Sequence, residues 1–229
     1  MRSVVARGPT LTRQNRAGRR RLSRRISTDQ AQVQPTASPR FSEPMKSEVP
    51  RLRVEKSGFY FDCKKAMLDG ELLSYLADAF LEQIRKLPEV PSAIGGLTMG
   101  ADFISAAVAM RAFQTGQPTV HASIVRKEPK KHGTKNFIEN QLPSGTKIVV
   151  VDDVITSGAS TQKACTQFLD AGYQLVGILA LVDREAGGRE RLETEFKCPV
   201  LPLFKKRDFP KLVAAERGQD LRSKIAGAA

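Results

Sequence analysis

The sequence predicts an alternating α/β domain built on one doubly wound, mainly parallel sheet, and three observations carry that prediction. From about Met45 onward, short apolar stretches of strand length alternate with segments of helical period. The central run Lys147–Val151 is a continuous β-branched stretch after its lysine, as expected of a strand covered on both faces. Small, hydroxylated and acidic residues follow that run directly, at the end of the strand where open α/β sheets bind ligands.

The elements follow in order. Glu71–Leu87 carries Leu72, Leu73, Leu76, Phe80, Ile84 and Leu87 at helical spacing, and Pro88 and Pro91 punctuate its end. Ala93–Leu97 is a short strand leading into a glycine-containing turn. Ala101–Phe113 is a helix so apolar around its circumference that burial on all sides is expected. His121–Val125 is a strand, and Arg126–Gln141 a long polar loop. After the central strand come a helix over Ser160–Asp170, stopped by Gly172, and a strand over Tyr173–Val182. A short helix over Arg189–Phe196 and a last strand over Val200–Phe204 complete one domain, taken as residues 45–229.

The formal charge of +13 resembles a nucleic-acid signature until it is located. Residues 1–42 hold ten arginines, no lysine and one acid, a net +9 of that +13, which leaves an ordinary +4 for the rest. Residues 1–44 are therefore taken as a disordered basic tail, too poor in apolar residues to offset its ordering entropy. An organelle leader, a nucleic-acid arm and a start codon assigned upstream of Met45 all fit it. The last is preferred, because no aromatics interleave with the arginines, so nucleic acid is not the expected partner and the cytoplasm is the expected location. No apolar run reaches membrane-spanning length. The three cysteines form no CxxC, and two histidines exclude a three-histidine metal site.

The chemistry concentrates in Ile148–Thr161, IVVVDDVITSGAST. Asp152 and Asp153 end the apolar run, Val154 and Ile155 follow, and Thr156, Ser157, Gly158, Ala159 and Ser160 lead into a helix. Backbone N–H groups at such a helix start cradle a phosphate, and the helix dipole favours the anion. No lysine of a Walker loop is present. The acidic pair instead suits a cis-diol, whose hydroxyls it can accept and with which it can share a Mg²⁺. A phosphate cradle beside a diol clamp describes a ribose 5-phosphate. The competing reading, a generic strand–turn–helix with Asp caps, does not account for the length and order of the run.

This segment resembles the donor-binding motif of the type I phosphoribosyltransferases. The resemblance implies their fold, phosphoribosyl pyrophosphate (PRPP) as donor, and Mg²⁺ as cofactor, with Asp152 and Asp153 as its ligands through PRPP. A second segment concerns the leaving group and the base. Arg126, Lys127, Lys130, Lys131 and His132 form a basic cluster suited to a departing pyrophosphate, or equally a solvated charge run. The order Arg126-Lys127-Glu128-x-Lys130-x-His132-Gly133 resembles the catalytic loop of orotate phosphoribosyltransferases. That resemblance implies a homodimer with shared sites, in which Arg126, Lys130 and His132 serve the neighbouring subunit and Lys127 its own. It also implies that Arg184, in Val182-Asp183-Arg184, holds the orotate carboxylate together with Thr156.

Two further stretches agree with the family. Ser57–Asp62 resembles its aromatic strand, making Phe59, Tyr60 and Phe61 candidates to stack on the base, and Gly95–Gly100 (GGLTMG) resembles its pyrophosphate loop. Met99 stands where several members have lysine. The chain departs from the family ahead of Ser57, where a helix ending in a lysine turn is usual; Arg51, Arg53 or Lys56 would substitute. The candidate catalytic groups are thus Lys127, Lys130, His132 and Asp153, with no covalent nucleophile. A purine-specific phosphoribosyltransferase and a PRPP-sensing regulator that uses the tail on nucleic acid are the alternatives.

Overall fold

A computed structural model describes residues 63–128, 137–210 and 213 of the chain. Residues 1–62, with the basic tail, Phe59, Tyr60 and Phe61, lie outside the described residues, as do Lys130, Lys131, His132 and Gly133. The elements are α1 (Lys64–Met67), α2 (Gly70–Ile84), β1 (Ala93–Leu97), α3 (Asp102–Gln114), β2 (His121–Val125) and β3 (Ile138–Glu139). They continue with β4 (Lys147–Ile155), α4 (Ala159–Asp170), β5 (Gln174–Asp183), α5 (Gly188–Phe196), β6 (Val200–Lys205) and a 3₁₀ turn at Lys206–Asp208.

Six strands form one sheet in the order β3-β2-β1-β4-β5-β6, parallel throughout except for β3. Strand alternation explains why it is covered on both faces. Val149 and Val151 of β4, with Leu179 and Leu181 of β5, join a core with α1, α2 and α3. Their neighbours Ile148, Val150, Ile178 and Ala180 join a second core with Ala164, Cys165 and Phe168 of α4 and Leu192 of α5. The predicted stripe of α2 buries Leu72, Leu76, Phe80 and Ile84, and Asp69 caps the helix by accepting from the Leu72 N–H at 3.1 Å. Gly172 ends α4 with φ +83°, as expected.

Three expectations are corrected. Helix α3 is not buried all round: it lies along one face of the sheet, so Ile104, Val108 and Ala112 are covered while Met110 and Phe113 face solvent. The stretch read as an unbroken loop contains β3, too short to show a period, which pairs antiparallel with β2 through Ile124–Glu139 and Val125–Ile138. Strand β4 continues beyond Val151 to Ile155, because β5 keeps pairing with it as far as Ile155–Asp183. Asp152 and Asp153 are consequently strand residues.

Candidate active site

The sheet reverses its winding between β1 and β4, and chain segments leave the carboxyl ends of both strands in opposite directions. Such a point opens a crevice above the sheet. Because the strands are parallel, the segments after β1, β2, β4 and β5 all rise at this edge. They carry Thr98–Gly100, Arg126–Glu128, Thr156–Ser160 and Arg184 respectively.

Asp152 is buried at the floor of the crevice. Its Oδ2 accepts from the Thr161 hydroxyl at 2.7 Å and its Oδ1 from the Asp153 N–H at 3.0 Å. Burial pushes its carboxyl up to about 7; the negative Asp153 adds to the rise and the Thr161 hydrogen bond opposes it. Asp153 is less buried, and its Oδ1 accepts from the Val154 N–H at 2.9 Å. The pair abuts the turn after β1. A Cβ on Gly100 would stand 2.7 Å from the Asp153 Oδ1 and 3.0 Å from the Asp152 Oδ1. The segment expected to face a pyrophosphate therefore touches the residues expected to face a ribose. That turn is tied down by the Thr98 hydroxyl, which donates to Asp102 Oδ2 at 2.7 Å, while Met99 is exposed.

The phosphate-loop candidate has the form its composition calls for. Gly158 is the N-cap of α4 with φ +76°, a conformation costly for any side chain, and no side chain caps the helix. The first N–H groups of α4 thus have no intrahelical acceptor. Ser157, Ala159 and Ser160 are exposed around them, and Thr156 is half-buried. Helix α5 supports the loop from below. A Cβ on Gly188 would fall on the Thr156 carbonyl oxygen and 2.8 Å from the Gly158 nitrogen, and Leu192 lies against Gly158.

Arg184 directly follows β5, and its N–H donates to the Ile155 carbonyl at 2.9 Å, so its backbone lies beside the start of the turn after β4. Arg184 is buried, with a residue exposure of 8%. The Asp183 carboxylate accepts from the Glu185 N–H at 2.8 Å and turns the chain at this point.

On the other side of the crevice, Arg126 is held in its own chain: its Nη1 pairs with Glu139 Oε1 of β3 at 2.7 Å. Its N–H also donates to the Phe137 carbonyl at 2.7 Å, closing the root of the basic segment. Lys127 is exposed and, with Thr98, Asp102, Ile124, Arg126, Glu128 and Glu139, lines an open cleft of about 620 Å³.

Sequence reasoning missed Gly188 as part of this arrangement and did not pair Thr161 with Asp152. The Gly187–Gly188 pair at a helix start was a visible signal for the first. Nothing local marks Thr161 as the partner of Asp152, because only the β4–α4 turn brings them together.

The model of the phosphoribosyl transferase domain matches residues 66–209, which span the whole of this arrangement from α2 to β6. The chain belongs to the phosphoribosyltransferase family. Among relatives of this phosphoribosyltransferase, orotate phosphoribosyltransferase of Aquifex aeolicus is 40% identical over 149 residues, 65% of this chain and 79% of its own. That of Leptospira biflexa is 41% identical over 155 residues, 67% of this chain and 83% of its own. The crystal structure of Mycobacterium tuberculosis orotate phosphoribosyltransferase superposes with a TM-score of 0.63 at 25% identity, covering 84% of this chain and 98% of that one.

Proposed function

We propose that this phosphoribosyltransferase transfers the 5-phosphoribosyl group of PRPP to N1 of orotate, releasing orotidine 5′-phosphate and pyrophosphate, a step of pyrimidine nucleotide synthesis. The observation that carries the reading is the convergence of a carboxylate pair, a bare helix N-terminus and a buried arginine at one sheet edge. The similarity to enzymes named for orotate supports the choice of base.

In this reading the backbone and hydroxyls of Thr156–Ser160 hold the 5-phosphate, and the Asp152–Asp153 pair accepts the ribose hydroxyls. The pair's negative charge steadies the positive charge that develops on the ribose as the bond to pyrophosphate breaks. Arg126, Lys127, Lys130 and His132 stabilise the departing pyrophosphate. Arg184 and Thr156 orient orotate so that its N1 faces the carbon losing the leaving group, with Phe59 and Tyr60 stacking on the ring. Positioning and electrostatics supply the rate, without a covalent enzyme intermediate.

The acidic pair also fits Mg²⁺. Among the described residues no group of three or more His, Cys, Asp or Glu side chains forms a metal cage. Two carboxylates that share the ion with oxygens of the donor and water suit Mg²⁺, which keeps part of its hydration shell. Bound with PRPP, the ion would neutralise pyrophosphate charge. We further propose a cytoplasmic homodimer whose sites are completed across the interface. No helix of the described residues is long and apolar enough to cross a membrane.

A base screen with PRPP and Mg²⁺ tests the assignment. Loss of orotate absorbance with stoichiometric pyrophosphate is expected, and no turnover of adenine or guanine. Purine turnover without orotate turnover would overturn it.

A further inference from the structure

Lys163 lies in the second turn of α4, on the exposed face of the helix whose N-terminus is the phosphate-loop candidate. Its Nζ donates to the Lys127 carbonyl at 2.8 Å, across 36 positions of sequence. Helix stability does not explain that placement: a cation near a helix N-terminus opposes the dipole, and ordering a lysine side chain loses rotamer freedom. The bond has a definite geometric consequence. Lys127 follows a residue held at both backbone and side chain by the β2–β3 pair, through the Arg126 N–H to Phe137 and the Arg126–Glu139 ion pair. Those contacts hold the chain at Arg126, and the Lys163 bond holds the peptide between Lys127 and Glu128. The backbone that carries the Lys127 side chain is thereby referenced to α4 as well as to the sheet.

Resting on the reading above, we propose that Lys163 is a positioning residue for pyrophosphate departure. Its ammonium fixes the Lys127 peptide relative to the phosphate-binding helix, so that one rigid element sets the distance between the held 5-phosphate and the Lys127 cation. Lys163 itself touches neither substrate nor leaving group. Small misplacements of a charge-stabilising group cost rate more than binding, on the order of tenfold or above for shifts near an ångström.

The test is a double-mutant cycle on the full-length chain, with Lys163→Met, Lys163→Arg, Lys127→Ala and the combination Lys163→Met/Lys127→Ala. Lys163→Met is expected to lower kcat about tenfold while the KM for PRPP moves far less, and Lys163→Arg, which keeps a donor, to recover most of the loss. In the Lys127→Ala background, Lys163→Met should have little further effect, because the group it positions is gone. Full multiplication of the two losses would overturn the proposal. Amide hydrogen exchange across residues 121–128 provides a readout independent of turnover. It should quicken in Lys163→Met and not in Lys163→Arg, and unchanged exchange in Lys163→Met would also overturn the proposal. Absence of orotate turnover in the unaltered chain would refute the assignment of substrate, while the exchange experiment still decides the tether.

Discussion

Asp152 joins the chemistry of single residues to a measurable pH dependence. Its carboxyl is raised to about 7 by burial, so between pH about 4 and about 7 the folded chain holds a proton that the unfolded chain has released. Stability contributed by this group therefore falls as pH rises through that window and is lowest above it. Asp152→Asn removes the cost of burying that charge above the raised pKa and loses an acceptor worth about 1–2 kcal/mol. The substitution is expected to raise the unfolding midpoint at pH 8 by on the order of a few degrees. At pH 4 the gain should disappear, and thermal unfolding at the two pH values checks both statements. The same proton bears on function, since a protonated Asp152 accepts diol hydroxyls poorly. The KM for PRPP is expected to rise below pH 7, approaching tenfold per unit, as initial rates across pH would show.

Among the elements, α5 is the one whose role was hidden. Its first turn lies so close under the proposed phosphate loop that Gly188 admits no side chain, whereas a Cβ on Gly187 would meet nothing within 4 Å. Gly188→Ala should push the loop out of place, lowering stability by about 1–3 kcal/mol and raising the KM for PRPP at least tenfold. Gly187→Ala should also destabilise the chain, because Gly187 has φ +83°, yet leave the KM for PRPP nearly unchanged. Equal effects of the two changes on KM would remove α5 from the site. The strands and helices themselves were legible where their periods are long: α2, β2 and α4 fall within a residue or three of the expected bounds. What escaped were the four-residue α1 and β3, whose two residues carry no periodicity and are a strand only because β2 supplies the hydrogen bonds.

For the whole molecule, the proposed sharing of sites gives a quantitative expectation. Lys130→Ala and Arg184→Ala subunits should each be nearly inactive alone. Mixed and allowed to exchange at equal amounts, they would form about half heterodimers, each with one intact site if the loop serves the neighbour, so about a quarter of the original activity should return. No recovery on mixing, with exchange of subunits verified, would place the loop in its own subunit's site. The engagement of Arg126 with Glu139 in its own chain makes this experiment informative, because a role for Arg126 in trans requires that ion pair to be exchanged.

Taken alone, the sequence determined the donor chemistry and the order of the fold. The run from Ile148 to Thr161 contains the proposed phosphate loop and acidic pair within one strand–turn–helix, so local periodicity and composition were enough to single them out. Arg184 was singled out through a short motif, and its position beside Ile155 comes from the β4–β5 register. Only the tertiary structure decided how the parts meet: Thr161 on Asp152, Gly100 against the acidic pair, Gly188 beneath the Thr156–Gly158 turn, and Lys163 on the Lys127 carbonyl. These contacts join residues on different elements, and side-chain periodicity reports which face of an element is covered but not what covers it.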